Sequence, residues 1–331
     1  MAILQRILNL LESFRGKAQV QNFLRSKEVP YSGTWEVVRN KIQEGIDTGK
    51  ITEAELIVLL EDIEEHGDQY VYLYNFDPAQ AIRIQNRAAL RALLSPDERE
   101  RVLDRVAIVE NPSAAPSLVS AQYSTERIKL KWVQKRVFRK PLGESIAGNI
   151  ATVRYEIIPT RAIDLAILDF AQHKAMLCIQ KIEPGVRDYK KQLAELFHRI
   201  SRFVDSQALT ALDFISLMRR MDQKAFTEIR RRRYRALDAN GGTIDVMSPT
   251  ESQDIYDGGL YEVGRDNYTG AVASLHVNVY WIPTPPAIER EIHTIFPYRQ
   301  AVNSVVFTQK CTKTERDYVL SRIETIAKGQ P

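Results

Sequence analysis

The sequence predicts an α+β protein, in which a small all-helical N-terminal domain precedes a larger domain with a mixed, mostly antiparallel sheet and packed helices. Apolar residues recur at helical spacing up to about residue 109, which is typical of amphipathic helices. Beyond the Pro-containing segment 111–116, short runs rich in Val, Ile and Tyr alternate between apolar and polar positions, which indicates strands. Because helices and strands follow no regular βαβ order, α+β is favoured over a parallel sheet.

Capping residues mark where the predicted helices begin. Thr34 is a good N-cap, because its hydroxyl can accept a hydrogen bond from a free amide of the first helical turn. Thr52 followed by Glu55 is a capping box, and we expect its helix to run to about residue 65. The run Ser95-Pro96-Asp97-Glu98 predicts a further helix start.

The rest of the chain mixes strand and helix patterns. Residues 128–133 alternate with the period of a strand. Residues 188–221 carry two helical patterns that divide near residue 205, and a last helix is expected after Thr312 or Thr314. Further strands are expected at residues 151–158, 162–183, 226–237, 275–282 and 301–308.

Charge divides the chain at the same place as the structural pattern. Residues 1–112 hold 14 Lys+Arg and 18 Asp+Glu, a net charge of −4, whereas residues 113–331 hold 32 and 24, a net charge of +8. We therefore expect a helical domain over residues 1–110, a linker over residues 111–117 and a basic α+β domain over residues 118–331.

The composition excludes several classes of protein. No apolar run approaches the roughly 18 residues that a membrane span needs, and the N-terminus lacks the basic and apolar regions of a signal peptide. The two cysteines, Cys178 and Cys311, are far apart in sequence, which excludes a disulfide scaffold and a zinc site made of cysteines alone. These observations favour an intracellular protein, cytoplasmic or nucleoid-associated.

Residues 18–43 resemble the SAP motif, a short helix–turn–helix element of DNA-binding proteins. The residues that carry the resemblance are Val20, Phe23, Leu24, Val29, Pro30, Ser32, Gly33, Thr34, Val38 and Ile42. The resemblance implies DNA contact at the start of the second helix, where free amides suit a phosphate, with Lys27, Arg39 and Lys41 adding positive charge. Trp35 departs from the family, which usually has a basic residue there. A plain helix–turn–helix packing unit is the alternative.

The overall layout also resembles the centromere protein N family. A helical N-terminal domain precedes a basic strand, further strands, a helix pair and a final strand and helix. Local similarities are the run His66-Gly67-Asp68-Gln69 and the basic strand from Ile128 to Trp132. The resemblance implies binding to nucleosomal DNA through a basic groove.

Two basic segments point to nucleic acid independently of these resemblances. Residues 127–140 hold seven cations and no acid, and residues 230–235 hold five arginines. Strand alternation predicts that Arg230 and Arg232 face away from Arg231 and Arg233. The expected phosphate contacts are Lys129, Lys131, Arg136, Arg230, Arg232 and Arg235. A face paired with acids and a subunit interface are the alternatives.

These patterns predict a non-enzymatic protein that binds DNA, most readily double-stranded DNA, through a basic groove as a subunit of a larger DNA-processing or defence assembly. One alternative is an adaptor that binds an acidic protein surface. A second is a metal-dependent nuclease, with Glu156, Asp164 and Asp169 on or near successive strands as carboxylate ligands. We expect no cofactor, no bound metal and no membrane partner.

Overall fold

The computed structural model describes residues 2–13, 16–77, 79, 84, 86–147, 149–181, 189–222, 226–237, 242–257, 259, 261, 273–297 and 303–328. Helices and antiparallel strands make up this part of the chain, which confirms the predicted α+β class. The chain divides into two compact units. The first comprises residues 1–73 and 211–331, and the second comprises residues 74–210.

Helices and strands are numbered in chain order. The described helices α1 to α9 are Ala2–Ser13, Lys17–Ser26, Trp35–Asp47, Glu53–Glu65, Arg87–Leu93, Pro96–Val102, Tyr189–Ile200, Phe214–Met221 and Lys313–Ala327. The described strands β1 to β11 are Gly67–Phe76, Ser117–Tyr123, Arg127–Ala147, Ile150–Asp169, Lys174–Gln180, Leu209–Ala211, Ile229–Leu237, Thr243–Met247, Ala273–Trp281, Ile292–Pro297 and Ser304–Lys310. Among the described helices, none is long and apolar enough to cross a membrane.

The capping residues start their helices as predicted. Thr34 precedes α3, and its hydroxyl accepts a hydrogen bond from the Val37 amide at 3.4 Å. Three of the described helices begin with a full capping box, in which side chain and backbone satisfy each other. The pairs are Thr52 with Glu55, Ser95 with Glu98, and Thr312 with Glu315.

In the first unit, helices α1, α2 and α4 pack together, and a sheet has the strand order β1-β11-β10-β9-β7-β8. Helix α8 packs on β9 and against α9. The core under this sheet is anchored by Trp281, which is fully buried and donates a hydrogen bond from Nε1 to Thr294 Oγ1 at 2.9 Å. The indole nitrogen of Trp281 is therefore paired inside a largely apolar interior.

In the second unit, the strand order is β2-β3-β4-β5, with α6 on β2 and α7 on β5. Strands β3 and β4 pair along their whole length, from Arg127 with Asp169 to Ala147 with Ile150. Strand β2 pairs only with β3 residues up to Val133, and β5 pairs with β4 from Asp164 onward. Residues 135–147 and 150–161 therefore form a two-stranded β3–β4 ribbon.

Strand β1 was not predicted. Residues 67–76 form this strand, so the expectation of an all-helical segment up to residue 110 was wrong there. Nearly every residue of β1 is buried, and such a strand lacks the alternation that reveals a half-buried one. The predicted linker, residues 111–117, lies inside the second unit.

Candidate nucleic-acid interface

Helices α2 and α3 and the turn between them form the helix–turn–helix predicted at residues 18–43. Gly33 in the turn has a φ of +126°, which an L side chain rarely adopts. A Cβ at Gly33 would also lie 2.8 Å from Val37 Cγ1. Trp35, at the start of α3, is half-buried. The local structure of the element agrees with the sequence pattern, and its binding partner stays a prediction.

Each cation predicted to contact phosphate in this element lies against a carboxylate. The pairs are Lys27 with Glu55, Arg39 with Glu12, and Lys41 with Glu44. Arg39 also donates a hydrogen bond to Asn9 Oδ1 at 2.9 Å. Partly exposed pairs of this kind stabilise little, but they cancel charge that a phosphate would otherwise meet. The element therefore attracts DNA less than its cation count suggests.

The Lys27–Glu55 pair predicts a measurable titration. The hydrogen bond from Lys27, with those from Thr52, lowers the pKa of Glu55 from 4.5 to about 2. Because this pKa is depressed in the folded state, the stabilisation is present above pH 4.5 and is lost as the pH falls toward 2. We expect Lys27→Ala to raise the pKa of Glu55 toward 4.5 in an NMR titration. If the pKa of Glu55 is unchanged in the variant, Lys27 is not the group that lowers it.

The predicted solvent face of β3 is covered in the second unit. Lys131 is fully buried, and Lys129 is half-buried. Trp132 and Val133, which point to opposite faces of the strand, are both buried. The expectation that Lys131 contacts phosphate was therefore wrong, because its side chain does not reach the surface. Lys129 stays a predicted contact.

Asp164 organises a buried cluster of charges beside β3. Its Oδ2 lies 2.6 Å from Arg136 Nη2 and 2.7 Å from Arg199 Nη2, and it accepts a hydrogen bond from Gln134 Nε2 at 3.1 Å. The side chain of Asp164 is 0% exposed, and those of Arg136 and Arg199 are 10% and 12% exposed. The assignment of Arg136 to phosphate was therefore wrong, because its guanidinium group is committed to Asp164.

The carboxylates weighed as metal ligands do not meet. Glu156, Asp164 and Asp169 all lie on β4 and not on successive strands, so the expected placement was wrong. Eight residues of strand separate Glu156 from Asp164, which is about 26 Å at the usual rise per residue. Among the residues that the structure describes, no group of three His, Cys, Asp or Glu side chains is arranged to hold a metal ion.

Acids also engage most arginines of β7. The pairs are Arg230 with Glu291, Arg231 with Asp254, and Arg233 with Asp245. Arg230 is 17% exposed and binds Glu291 through both terminal nitrogens; this hydrogen bonding raises the pKa of Arg230. The hydrogen bond from Arg233 likewise lowers the pKa of Asp245. Glu291 therefore offsets much of the charge of Arg230, and contact of Arg230 with phosphate stays a prediction.

A β-bulge changes which arginines share a face of β7. Arg231 lies opposite Val279, and Arg233 lies opposite Asn278, so Arg232 is an extra residue in the strand. Arg233 therefore shares a face with Arg230, which contradicts the alternation predicted from the sequence. A bulge has no reliable sequence signal in a run of identical residues.

The other two predicted phosphate contacts on β7 form no ion pair among the described residues, although Arg235 lies opposite Asp245 and its charge lowers the pKa of Asp245. Arg232 Nη1 donates hydrogen bonds to the Ser248 carbonyl and to its Oγ, the latter at 2.7 Å. Arg235 is half-buried, and its Nε is buried without an acceptor. Across the sheet from Arg235 lies His276, whose pKa is lowered by burial and by the charge of Arg233. Arg232 and Arg235 stay predicted phosphate contacts.

The β3–β4 ribbon has one predominantly apolar face. Residues directly opposite each other in the register share a face, and faces alternate along each strand. Five large apolar side chains, between 40% and 73% exposed, fall on the same face: Val137, Ile146, Val153, Tyr155 and Ile157. Arg139 and Glu144 lie among them. We call this the apolar face of the ribbon.

The opposite face of the ribbon is mostly polar. The exposed side chains that register places on it include Lys140, Ser145, Thr152, Arg154 and Glu156. Two exposed apolar residues adjoin it: Ile150 next to the hairpin turn, 69% exposed, and Leu142, the extra residue of the β-bulge beside Gly143, 63% exposed. We call this the polar face.

Sequence reasoning found the basic segment at residues 127–140 but missed that it extends into a ribbon. The signal present was the dipeptide Gly148-Asn149 between two strand-like runs, which is typical of a two-residue hairpin connection. The predicted strand at residues 151–158 belongs to β4, which continues to Asp169. The prolines at 141 and 159 obscured this continuity, because proline usually interrupts a strand.

Comparison with known proteins adds no assignment. The similarities of residues 18–43 to the SAP motif, and of the overall layout to the centromere protein N family, therefore stay predictions. No protein-family model matches the chain, and no curated protein matches it significantly.

Proposed function

We propose that this chain is a non-enzymatic DNA-binding protein and that the polar face of the β3–β4 ribbon contacts phosphates. The observation that carries the proposal is the exposure of Lys140 and Arg154 on this face. Among the described residues, Arg154 has no carboxylate within ion-pair distance. Lys140 lies 3.7 Å from Glu156, and both side chains are about half exposed, so the pair neutralises little charge.

The shape of the ribbon supports the same partner. Its 13-residue β3 segment is about 40 Å long at the usual rise per residue, and the major groove of duplex DNA admits a two-stranded ribbon. Residues 135–161 hold six Lys+Arg, of which Arg136 is committed to Asp164, and two Asp+Glu. Two cations on the polar face position the ribbon on the phosphate backbone without reading bases. Arg232 and Arg235 of the first unit are further candidate contacts.

Removing the two polar-face cations tests this proposal. We expect Lys140→Gln combined with Arg154→Gln to weaken binding of the full chain to a labelled DNA duplex, measured by fluorescence anisotropy. Because each lost phosphate contact changes the salt slope by about 0.9, the slope of log affinity against log salt should become less steep by about 2.

A matched double variant distinguishes the ribbon from the helix–turn–helix. Lys27→Gln combined with Arg39→Gln removes the same charge from cations that already face Glu55 and Glu12. We expect this variant to keep the affinity of the unaltered chain. Equal losses of DNA affinity in both double variants, or no loss in the ribbon variant, would contradict the proposal. Binding to an acidic protein surface would then be the better explanation of the basic charge.

A further inference from the structure

The apolar face of the ribbon leaves a large unpaired surface that water does not favour. Val137, Ile146, Val153, Tyr155 and Ile157 lie side by side on a ribbon that has no flanking strand among the described residues. A two-stranded hairpin alone in water is marginally stable, and a contiguous exposed apolar patch commonly marks an interface. A partner surface for this face therefore has to be apolar as well.

We propose that the apolar face packs against the same face of a second copy of this chain. The register centres the face on the opposed pair Pro141 and Tyr155. Arg139 lies two positions from this centre toward the base of the ribbon, and Glu144 lies at the matching distance toward its tip. A β-bulge at Leu142 makes the two distances equal.

Antiparallel packing about a two-fold axis through that centre matches each position with a suitable partner. Arg139 of one copy then lies over Glu144 of the other. Because the two copies contribute the same surface, the interface contains this ion pair twice. On the same axis, Ile157 lies over Val153, and Val137 lies over Ile146. Apolar residues thus meet apolar residues, and each charge meets its opposite.

The parallel arrangement of the two ribbons is far less favourable. It would place β3 of one copy over β4 of the other, so that Arg139 lies over Ile157 and Glu144 lies over Val153. Both charges would then be covered by apolar side chains without a partner, which is costly. Charge complementarity therefore selects the antiparallel dimer.

The size of the face sets the strength of the dimer. From Val137 to Ile146 it measures about 30 Å by 10 Å at standard strand dimensions, which is about 600 Å² for both copies. Stable protein interfaces bury about 1,200–2,000 Å². A contact through this face alone is therefore weak and reversible, and the dimer should appear only as the protein concentration rises.

Sedimentation velocity over a concentration series tests the dimer. We expect the mass of the unaltered chain to rise from 37.9 kDa toward twice that value, and Glu144→Arg to keep it monomeric because like charges would then face each other. Arg139→Glu combined with Glu144→Arg should restore the dimer. Thr152→Arg, which introduces the same side chain on the polar face, should leave the dimer unchanged. A monomer at every concentration, or no rescue by the charge exchange, would overturn the proposal.

Chemical cross-linking tests the position of the axis. Tyr155→Cys would place two thiols across the axis about 10 Å apart, because sheets pack face to face at that distance, so a bismaleimide of similar length should link them. The native Cys178 and Cys311 are buried and should not compete. Thr152→Cys on the polar face is the control. Equal yields from the two variants would contradict the two-fold arrangement. These measurements contain no DNA, so their outcome is independent of the proposed function.

Discussion

Replacing Asp164 by alanine is expected to lower the free energy of unfolding by about 3–5 kcal/mol. Asp164 is fully buried, and it is the shared partner of Arg136 and Arg199, whose side chains are nearly buried too. Removing the carboxylate leaves two charged guanidinium groups in the interior without their counter-charge, and a buried unpaired charge is costly. Urea unfolding of the full chain measures the effect.

A second ion pair provides the control for this experiment. Asp245 binds Arg233 at 2.6 Å, but the two side chains are 34% and 39% exposed. Solvent screens such a pair, so Asp245→Ala should cost at most about 1 kcal/mol. Similar losses of unfolding free energy from Asp164→Ala and Asp245→Ala would show that Asp164 does not compensate the buried charges of Arg136 and Arg199.

Gly67→Ala is expected to destabilise the first unit by about 3 kcal/mol, from backbone strain and overpacking together. Gly67 begins β1 with a φ of +75°. A Cβ there would lie 2.3 Å from the carbonyl oxygen of Gln309 and 2.5 Å from the amide nitrogen of Cys311, in the paired strand β11 and just beyond it. Backbone atoms of a paired strand cannot move aside without breaking the ladder.

Gly49→Ala separates the two causes. Gly49 has nearly the same φ, +72°, but a Cβ there would meet no atom within 4 Å. It therefore carries the left-handed strain alone, which costs about 1–2 kcal/mol. Urea unfolding of both variants gives the comparison. Equal destabilisation would mean that the close approach of β11 to Gly67 contributes nothing.

Local signals predicted local structure well. The capping boxes at Thr52, Ser95 and Thr312 each involve four consecutive residues. A short stretch of sequence is therefore enough to predict where these helices begin. Strand β1 was missed because its burial depends on neighbours that are distant in sequence: its partner β11 follows more than 200 residues later. A strand buried on both faces shows no alternation.

The candidate site was less predictable than the fold for the same reason. A cation is available to phosphate only when no carboxylate reaches it, and the carboxylates that engage Arg136 and Arg230 lie 28 and 61 residues away. Counting basic residues along the chain cannot reveal these pairs. Lys140 and Arg154 could be identified as candidate phosphate contacts only from the register of β3 and β4, which places both on the exposed polar face of one ribbon.

Shortening the ribbon tests its assignment as the DNA-binding surface most directly. Arg139 and Ile157 lie opposite each other in the register, so a two-residue Asn-Gly turn can join them in place of residues 140–156. We expect the shortened chain to unfold at the same temperature but to bind duplex DNA at least about tenfold more weakly at moderate salt, because two phosphate contacts are lost. A shortened, folded chain that binds duplex DNA as tightly as the intact one would contradict the assignment of the ribbon as the DNA-binding surface.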